Sequence, residues 1–286
     1  MLCIAVFITF LCLTVKDKKV DAVQEKNVLT VWQIDSFEGG RGSRADFIQK
    51  IGKDFSDKNS CYVSVVSLSE DAAVLNLKEG NIPDIISYGA GISGLENHIS
   101  SYKTWCHGGY CILTVDANAD FSDINSENVI INEGKGNLVS AAALFCGLQG
   151  AATEKPTAAY VKLINGGYKY LLGTQRDIYR LKTRGVSFAV KPVTQFNDLY
   201  QNISVVTESK NAKSASNFID YLMSRTNEVI NLGLLSENTV YDDEMKIMQG
   251  ISYEYKLTAP VSADTKNQLQ NLISAGDINM LKNLLK

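Results

Sequence analysis

A short apolar strand that runs into a glycine-rich loop and then into an amphipathic helix constrains this chain most. Residues 29–34 are apolar or β-branched at most positions, and residues 35–42 contain three glycines. Ser43 and Asp46 have the spacing of a helix N-cap, ahead of apolar residues at helical intervals. Ligands of open α/β sheets bind at the carboxyl ends of strands. The sequence therefore predicts a binding loop at the end of the first strand.

The same unit of strand and helix recurs along the chain. Alternation of this kind is typical of parallel sheets with right-handed crossovers. A second series begins near residue 129, so the 286 residues are interpreted as two α/β lobes of ordinary size. The predicted strands are residues 29–34, 61–68, 83–89, 110–115, 129–131, 168–172, 186–190 and 203–206.

Charge and motif content narrow the function classes. Lys and Arg total 28 against 31 Asp and Glu, a net charge of -3, and basic residues form no stripe interleaved with aromatics. A nucleic-acid partner is therefore not expected. The G-x-S-x-G, HExxH and P-loop patterns are absent. We predict a monomeric protein that is not an enzyme, with no catalytic residue, metal or cofactor.

The N-terminus predicts export. Residues 3–15 form an apolar run of the length of a secretory h-region, and small residues near Ala22 suit cleavage there. Residues 1–22 are interpreted as a signal peptide or, alternatively, an N-terminal membrane anchor. The protein is expected outside the cell, free or tethered to the outer face of the membrane, and Cys12 is a candidate for lipidation.

Two cysteines, Cys106 and Cys111, flank a His-Gly-Gly-Tyr segment. The glycines would let the segment fold into a disulfide in an oxidising compartment. A metal site from the two thiols and His107 is the other interpretation, although it lacks a fourth ligand. Cys61 and Cys146 lie in apolar patterns and are expected in the core.

Four strings then occur in order: Leu-Thr-Val-Trp at residues 29–32, Gly-Asn-Ile-Pro-Asp-Ile-Ile at 80–86, Tyr-Lys-Tyr-Leu-Leu-Gly at 168–173, and an A-x-x-F-x-x-Y-L helix at 215–222 followed by Gly233. Together they resemble the extracellular solute-binding proteins of ABC importers, most closely the carbohydrate-binding branch that includes maltose-binding protein.

The resemblance implies an α/β fold of the two-lobed type II periplasmic-binding-protein kind, with mostly parallel sheets flanked by helices and joined by a crossover hinge. Lobe 1 would comprise residues 23–112 and 203–235. Lobe 2 would comprise residues 113–202 and 236–286, with the C-terminal helices packed on either lobe. The implied function is capture of a small polar ligand, favouring a carbohydrate, and its delivery to an ABC importer permease.

The expected ligand-binding residues lie at strand ends of both lobes. Carboxylates suit sugar hydroxyls, and an aromatic ring can stack on an apolar sugar face. The family's aromatic after the strand-end glycine is replaced here by Thr174, Gln175 and Arg176, which admits a non-sugar anion held by the guanidinium. A hydrolase or transferase acting on a sugar or sugar phosphate is the alternative of another class. The candidate residues are Asp35, Ser36, Glu38, Tyr88, Gly89, Trp105, Gln175, Arg176 and Asp177.

Overall fold

The computed structural model describes residues 27–39, 41–134 and 136–286. The expected signal peptide or anchor, with Cys12, lies outside these residues. Among the described residues, no helix combines the length and the hydropathy needed to cross a bilayer.

The described residues alternate between strand and helix, as predicted, over residues 27–89 and 129–183, whereas residues 85–132 contain four strands in succession. The strands are β1 (Asn27–Ile34), β2 (Cys61–Leu68), β3 (Ile85–Gly89), β4 (Lys103–His107), β5 (Tyr110–Thr114), β6 (Val129–Asn132), β7 (Ala152–Glu154), β8 (Tyr170–Thr174), β9 (Ala189–Pro192), β10 (Phe196–Asn197), β11 (Tyr200–Val205) and β12 (Tyr255–Lys256). The helices are α1 (Arg44–Lys58), α2 (Glu70–Lys78), α3 (Val139–Phe145), α4 (Pro156–Ile164), α5 (Gln175–Thr183), α6 (Ala212–Met223), α7 (Asp243–Gln249), α8 (Ala263–Ala275) and α9 (Ile278–Leu284), with a 3-10 helix at Thr226–Leu232.

The first sheet has the strand order β2-β1-β3-β11-β4. Strand β1 is parallel to both β2 and β3, whereas β11 runs antiparallel between β3 and β4. Parallel neighbours place their carboxyl ends at one edge of the sheet. The ends of β1 and β3 therefore lie side by side, where ligands of such sheets bind.

Helix α1 covers the first sheet with an apolar face. Its side chains Phe47, Ile51 and Phe55 are buried in the core. Gly52 lets the helix approach closely, because a Cβ at this position would lie 2.8 Å from the side chain of Val63. The Ser43 side chain accepts a hydrogen bond from the Asp46 amide, so the predicted N-cap is confirmed.

The second sheet repeats this pattern with the order β7-β6-β8-β5-β9. Strand β6 is parallel to β7 and β8, and β5 lies antiparallel between β8 and β9. Helix α5 starts at Gln175, directly after β8. The two sheets flanked by helices confirm the predicted α/β fold, and each sheet is mixed, with two parallel and two antiparallel pairings.

The chain crosses between the sheets at residues 108–109, between β4 and β5, and again between β9 and β11. Within the second crossing, β10 pairs with β12 from the C-terminal part of the chain. Helix α7 packs on α5, and α8 packs on α3. We propose that the lobe boundaries lie at residues 108–109 and 197–199, with α7 and α8 packed on the second lobe and Lys266 of α8 also paired with Glu70 of the first lobe.

Candidate functional site

Ser36, the second residue after β1, lies where the two lobes meet. Its hydroxyl donates a hydrogen bond to the Gln201 side-chain oxygen at 3.2 Å. A Cβ added to Gly89 would overlap the Ser36 side chain, and a Cβ added to Gly136 would overlap its backbone carbonyl. Gly89 ends β3 of the first sheet and Gly136 precedes α3 of the second. The two glycines therefore allow loops of both lobes to pack around one serine.

We call residues 35–38 the first strand end. Asp35 accepts hydrogen bonds from the Gln33 amide at 2.9 Å and from the Arg44 guanidinium at 3.2 Å. Its side chain is nevertheless 51% exposed, so the carboxylate keeps a free face. Glu38 forms an ion pair with Arg176 from the second lobe. This strand end thus offers partly exposed carboxylates beside the other lobe.

We call residues 174–177 the second strand end. Gln175 is fully buried and its side-chain oxygen accepts a hydrogen bond from the Gly109 amide at 3.0 Å. Its amide nitrogen lies 3.5 Å from the Glu38 carbonyl. Arg176 is partly buried, and burial lowers the pKa of its guanidinium. Gln175 and Arg176 both reach the first strand end across the gap between the lobes.

Asp177 completes the second strand end but serves the fold. Its side chain accepts hydrogen bonds from the Asn132 amide at 2.8 Å and from the Thr174 backbone N–H at 3.2 Å. Thr174 and Asp177 form a capping box on α5. Burial raises the pKa of the Asp177 carboxyl, which has no exposure to solvent. We therefore withdraw the prediction that Asp177 contacts a ligand.

Two aromatic candidates lie in the core of the first lobe. Tyr88 is fully buried and packs edge to face on Tyr102, with ring centroids 6.4 Å apart. Trp105 stacks on Phe47 at 5.6 Å, and its indole N–H donates to the Ser87 hydroxyl at 3.0 Å. Neither ring lines the space between the strand ends. The structure therefore contradicts the prediction that Tyr88 or Trp105 stacks on a ligand between the strand ends.

Asp198, in the crossing before β11, was missed by the sequence analysis. Its carboxylate accepts hydrogen bonds from the Tyr110 hydroxyl at 2.7 Å and from the Leu138 amide at 2.8 Å. Burial raises the pKa of this carboxyl to about 6. Because Leu138 precedes α3, Asp198 connects the hinge to the loop that packs on Ser36. A carboxylate between two predicted strands was the only signal available.

Two cavities adjoin the first strand end and share Asp35 and Ser36. One, of about 550 Å³, includes Arg41 and Arg176. The other, of about 420 Å³, extends from the end of β3 to Asn137 and Leu138 of the second lobe, and Asp198 closes it. We call these two spaces together the cleft. Its size matches small-molecule sites, which typically range from about 300 to 1,000 Å³.

The cysteine alternatives are resolved by the sheet assignments. Cys106 lies in β4 of the first sheet and Cys111 in β5 of the second, and both are buried, free thiols. Burial raises the pKa of each thiol. The disulfide that the sequence left open is not formed. Among the described residues, no group of three or more His, Cys, Asp or Glu side chains could hold a metal ion.

Comparison with known proteins gives structural matches alone. No family model and no curated protein matches the chain. Its structure is similar to iron-bound HitA from Pseudomonas aeruginosa, with a TM-score of 0.57 and 10% identity over 88% of this chain and 100% of that one. It is also similar to a substrate-binding domain assigned to a molybdenum ABC transporter of Clostridium difficile, with a TM-score of 0.53 and 12% identity over 75% and 99%.

A two-component system protein that mediates signal transduction matches with a TM-score of 0.59 and 13% identity, over 86% of this chain and all of that one. The chain has the type II periplasmic-binding-protein fold. One of these neighbours is described as the substrate-binding domain of an ABC transporter, the general class that the sequence resembles, and a likeness at this identity shows the fold alone. The carbohydrate-binding branch is not singled out, since the named neighbours above are described by iron, molybdenum or signalling.

Proposed function

We propose that this protein is an extracellular solute-binding receptor that captures a small polar ligand in the cleft and delivers it to the permease of an ABC importer. The observation that carries the proposal is the meeting of strand ends from both sheets, where Arg176 pairs with Glu38 and Ser36 packs against Gly136. Closure of two lobes around a ligand buries its hydrogen bonds and excludes water.

A carbohydrate is the ligand class that we favour. Asp35 presents a half-exposed carboxylate to the cleft, and Asn137 contributes an amide. Charged oxygens accept stronger hydrogen bonds from hydroxyl groups than neutral oxygens do. A non-sugar anion is the second candidate, because Arg41 and Arg176 both line the larger part of the cleft. An arginine fork can hold a carboxylate or phosphate in a bidentate pair.

A thermal-shift screen tests the proposal with sugars, amino acids and organic anions. A ligand at a hundred times its dissociation constant stabilises the folded state by about 2.7 kcal/mol, which raises the melting temperature. We expect such a shift without any chemical product. The variants Asp35→Ala and Arg176→Ala should lose the shift, whereas Asp57→Ala, an exposed change in α1, should keep it.

The outcomes separate the alternatives. Release of a product from a sugar or sugar phosphate would show that the protein is a hydrolase or transferase and not a receptor. Unchanged affinity in both cleft variants would place the ligand elsewhere. A shift with organic anions alone, lost in Arg176→Ala, would favour the anion receptor over the carbohydrate receptor.

A further inference from the structure

A third cavity lies apart from the cleft and shares no lining residue with it. Its volume is about 660 Å³, larger than either part of the cleft. The walls come from β4, from the start of β11 and from the C-terminal segment 236–258. Since β4 and β11 adjoin the two crossings between the lobes, we call this space the hinge cavity.

Aromatic rings make up much of the wall of the hinge cavity. His107 and Tyr200 stack with ring centroids 6.0 Å apart at the crossings themselves. Burial lowers the pKa of His107, which favours the neutral imidazole. Flat rings favour a ligand that is itself planar, because stacking of a base on an aromatic side chain contributes about 1–3 kcal/mol. The aromatic and imidazole rings of the wall belong to Tyr102, Trp105, His107, Tyr200 and Tyr253.

The polar groups of the hinge cavity favour a ligand that donates hydrogen bonds. Asn238 uses its side-chain nitrogen on Thr226, and Gln249 uses its nitrogen on backbone carbonyls such as that of Ser236. Their side-chain oxygens accept no hydrogen bond from any residue that the structure describes. Glu237 and Lys256 are of opposite charge, so the lining selects no strongly charged ligand.

The hydroxyl of Tyr253 is a further polar group beside the hinge cavity, because the Tyr253 side chain contributes to its wall. It is buried and has no hydrogen-bond partner among the described residues. A buried hydroxyl without a partner costs about 1–3 kcal/mol. The same hydroxyl lies against the crossing, since a Cβ added to Gly109 would be 2.6 Å from it.

We propose that the hinge cavity is a second ligand site, which binds a neutral, planar nitrogen heterocycle with an exocyclic amino group, the chemistry of an adenine ring. The ring stacks on the aromatic wall. Its amino group donates hydrogen bonds to the oxygens of Asn238 and Gln249. This site does not depend on the proposed function, because none of its lining residues belongs to the cleft.

Adenosine is the probe that tests the site, and inosine is its matched control. Inosine carries a carbonyl oxygen where adenosine carries the amino group. This carbonyl cannot donate a hydrogen bond to the side-chain oxygens of Asn238 and Gln249. We expect adenosine to bind at least about tenfold more tightly than inosine, the ratio that corresponds to ~1.4 kcal/mol. Calorimetry measures the affinity. Fluorescence of Trp105 in the Trp32→Phe variant reports the location, because the chain has 2 tryptophans and Trp105 lines the cavity.

Two substitutions sharpen the test. Tyr102→Leu should weaken adenosine binding by about tenfold or more through loss of a stacking ring. This ring is 37% exposed, so the fold should persist. Asn238→Leu should also weaken binding, whereas Asn238→Asp keeps an acceptor oxygen and should retain it. Circular dichroism and the melting temperature check that each variant is folded.

Several results would overturn the hinge site. One is the absence of heat and of a Trp105 response up to ~1 mM adenosine, which would correspond to a binding free energy weaker than about -4.1 kcal/mol. Another is equal binding of adenosine and inosine. Adenosine binding that Asp35→Ala abolishes and Tyr102→Leu leaves unchanged would place adenosine in the cleft, which refutes the hinge site and leaves the receptor proposal intact.

Discussion

The two strand ends are both rich in polar residues, which have different roles. At the first strand end, Asp35 and Glu38 keep 51% and 40% of their side chains exposed. At the second, Gln175 and Asp177 are fully buried and bonded to the backbone. Arg176 forms the ion pair with the other lobe, and the Gln175 amide also reaches the Glu38 carbonyl there.

The difference follows from what comes next in the chain. The second strand end opens directly into α5, so its Thr174 and Asp177 side chains cap the free amides of a helix N-terminus. The first strand end is followed by a loop, and Ser43 caps α1 instead. Polar residues after a strand are therefore available to a ligand when a loop separates them from the next helix.

The largest expected effect is on Asp177. Asp177→Ala removes the acceptor for the Thr174 amide and for the buried Asn132 side chain, and it also removes a charge near Arg180. Loss of one partner from a buried charged network costs about 3–5 kcal/mol. We expect the free energy of unfolding in urea to fall by ~4 kcal/mol at neutral pH.

Glu38→Ala is the matched control at the first strand end. Its ion pair with Arg176 is partly exposed, and such pairs contribute less than about 1 kcal/mol. If Asp177→Ala and Glu38→Ala lowered the free energy of unfolding equally, Asp177 would not differ from Glu38 in its contribution to the fold.

The second prediction concerns the pH dependence of stability through Asp198. Burial raises the pKa of its carboxyl from 3.8 to about 6, so the folded protein takes up this proton at a higher pH than the unfolded chain does. The stability contributed by Asp198 is then fully present below pH ~4 and is lost as the pH rises through ~6. The expected total is about 3 kcal/mol, since one pKa unit corresponds to ~1.4 kcal/mol.

Asp198→Asn isolates this effect, because the amide does not titrate. Urea unfolding at intervals between pH ~4 and ~7 gives the stability of the wild type minus that of the variant, from which all other groups cancel. We expect this difference to decrease as the pH rises. A difference that is constant across the range would show that the carboxyl has an ordinary pKa.

The sequence predicted the fold because its signals are local. Ser43 was predicted to cap α1, and its side chain accepts the hydrogen bond of the Asp46 amide. Strand β2 was predicted with the bounds that it has, residues 61–68. Four ordered strings were sufficient to indicate the two-lobed architecture.

The candidate site was less predictable, because side-chain directions and distant contacts are not local. All five residues of β3 are buried, so alternation gives no indication of which way Tyr88 points. Asp198 contacts Tyr110 and Leu138, which are 88 and 60 residues away in the chain. The spacing of Thr174 and Asp177 fits a capping box, but it fits a binding loop equally well, so the sequence does not distinguish the two roles.

The smallest expected effect, about 1 kcal/mol in stability, distinguishes close approach from backbone strain. Gly136 and Gly166 have φ of 71° and 72°, so alanine is strained to a similar degree at each. A Cβ at Gly136 would overlap the Ser36 carbonyl, whereas a Cβ at Gly166 meets nothing within 4 Å. We expect both variants to lose about 1 kcal/mol to backbone strain, and Gly136→Ala to lose more, because the Ser36 backbone must shift to admit the Cβ. Gly136→Ala alone should separate the lobes, seen as a larger radius of gyration in solution scattering, and should weaken binding in the cleft. Identical scattering from the two variants would mean that the contact between Ser36 and Gly136 does not hold the lobes together.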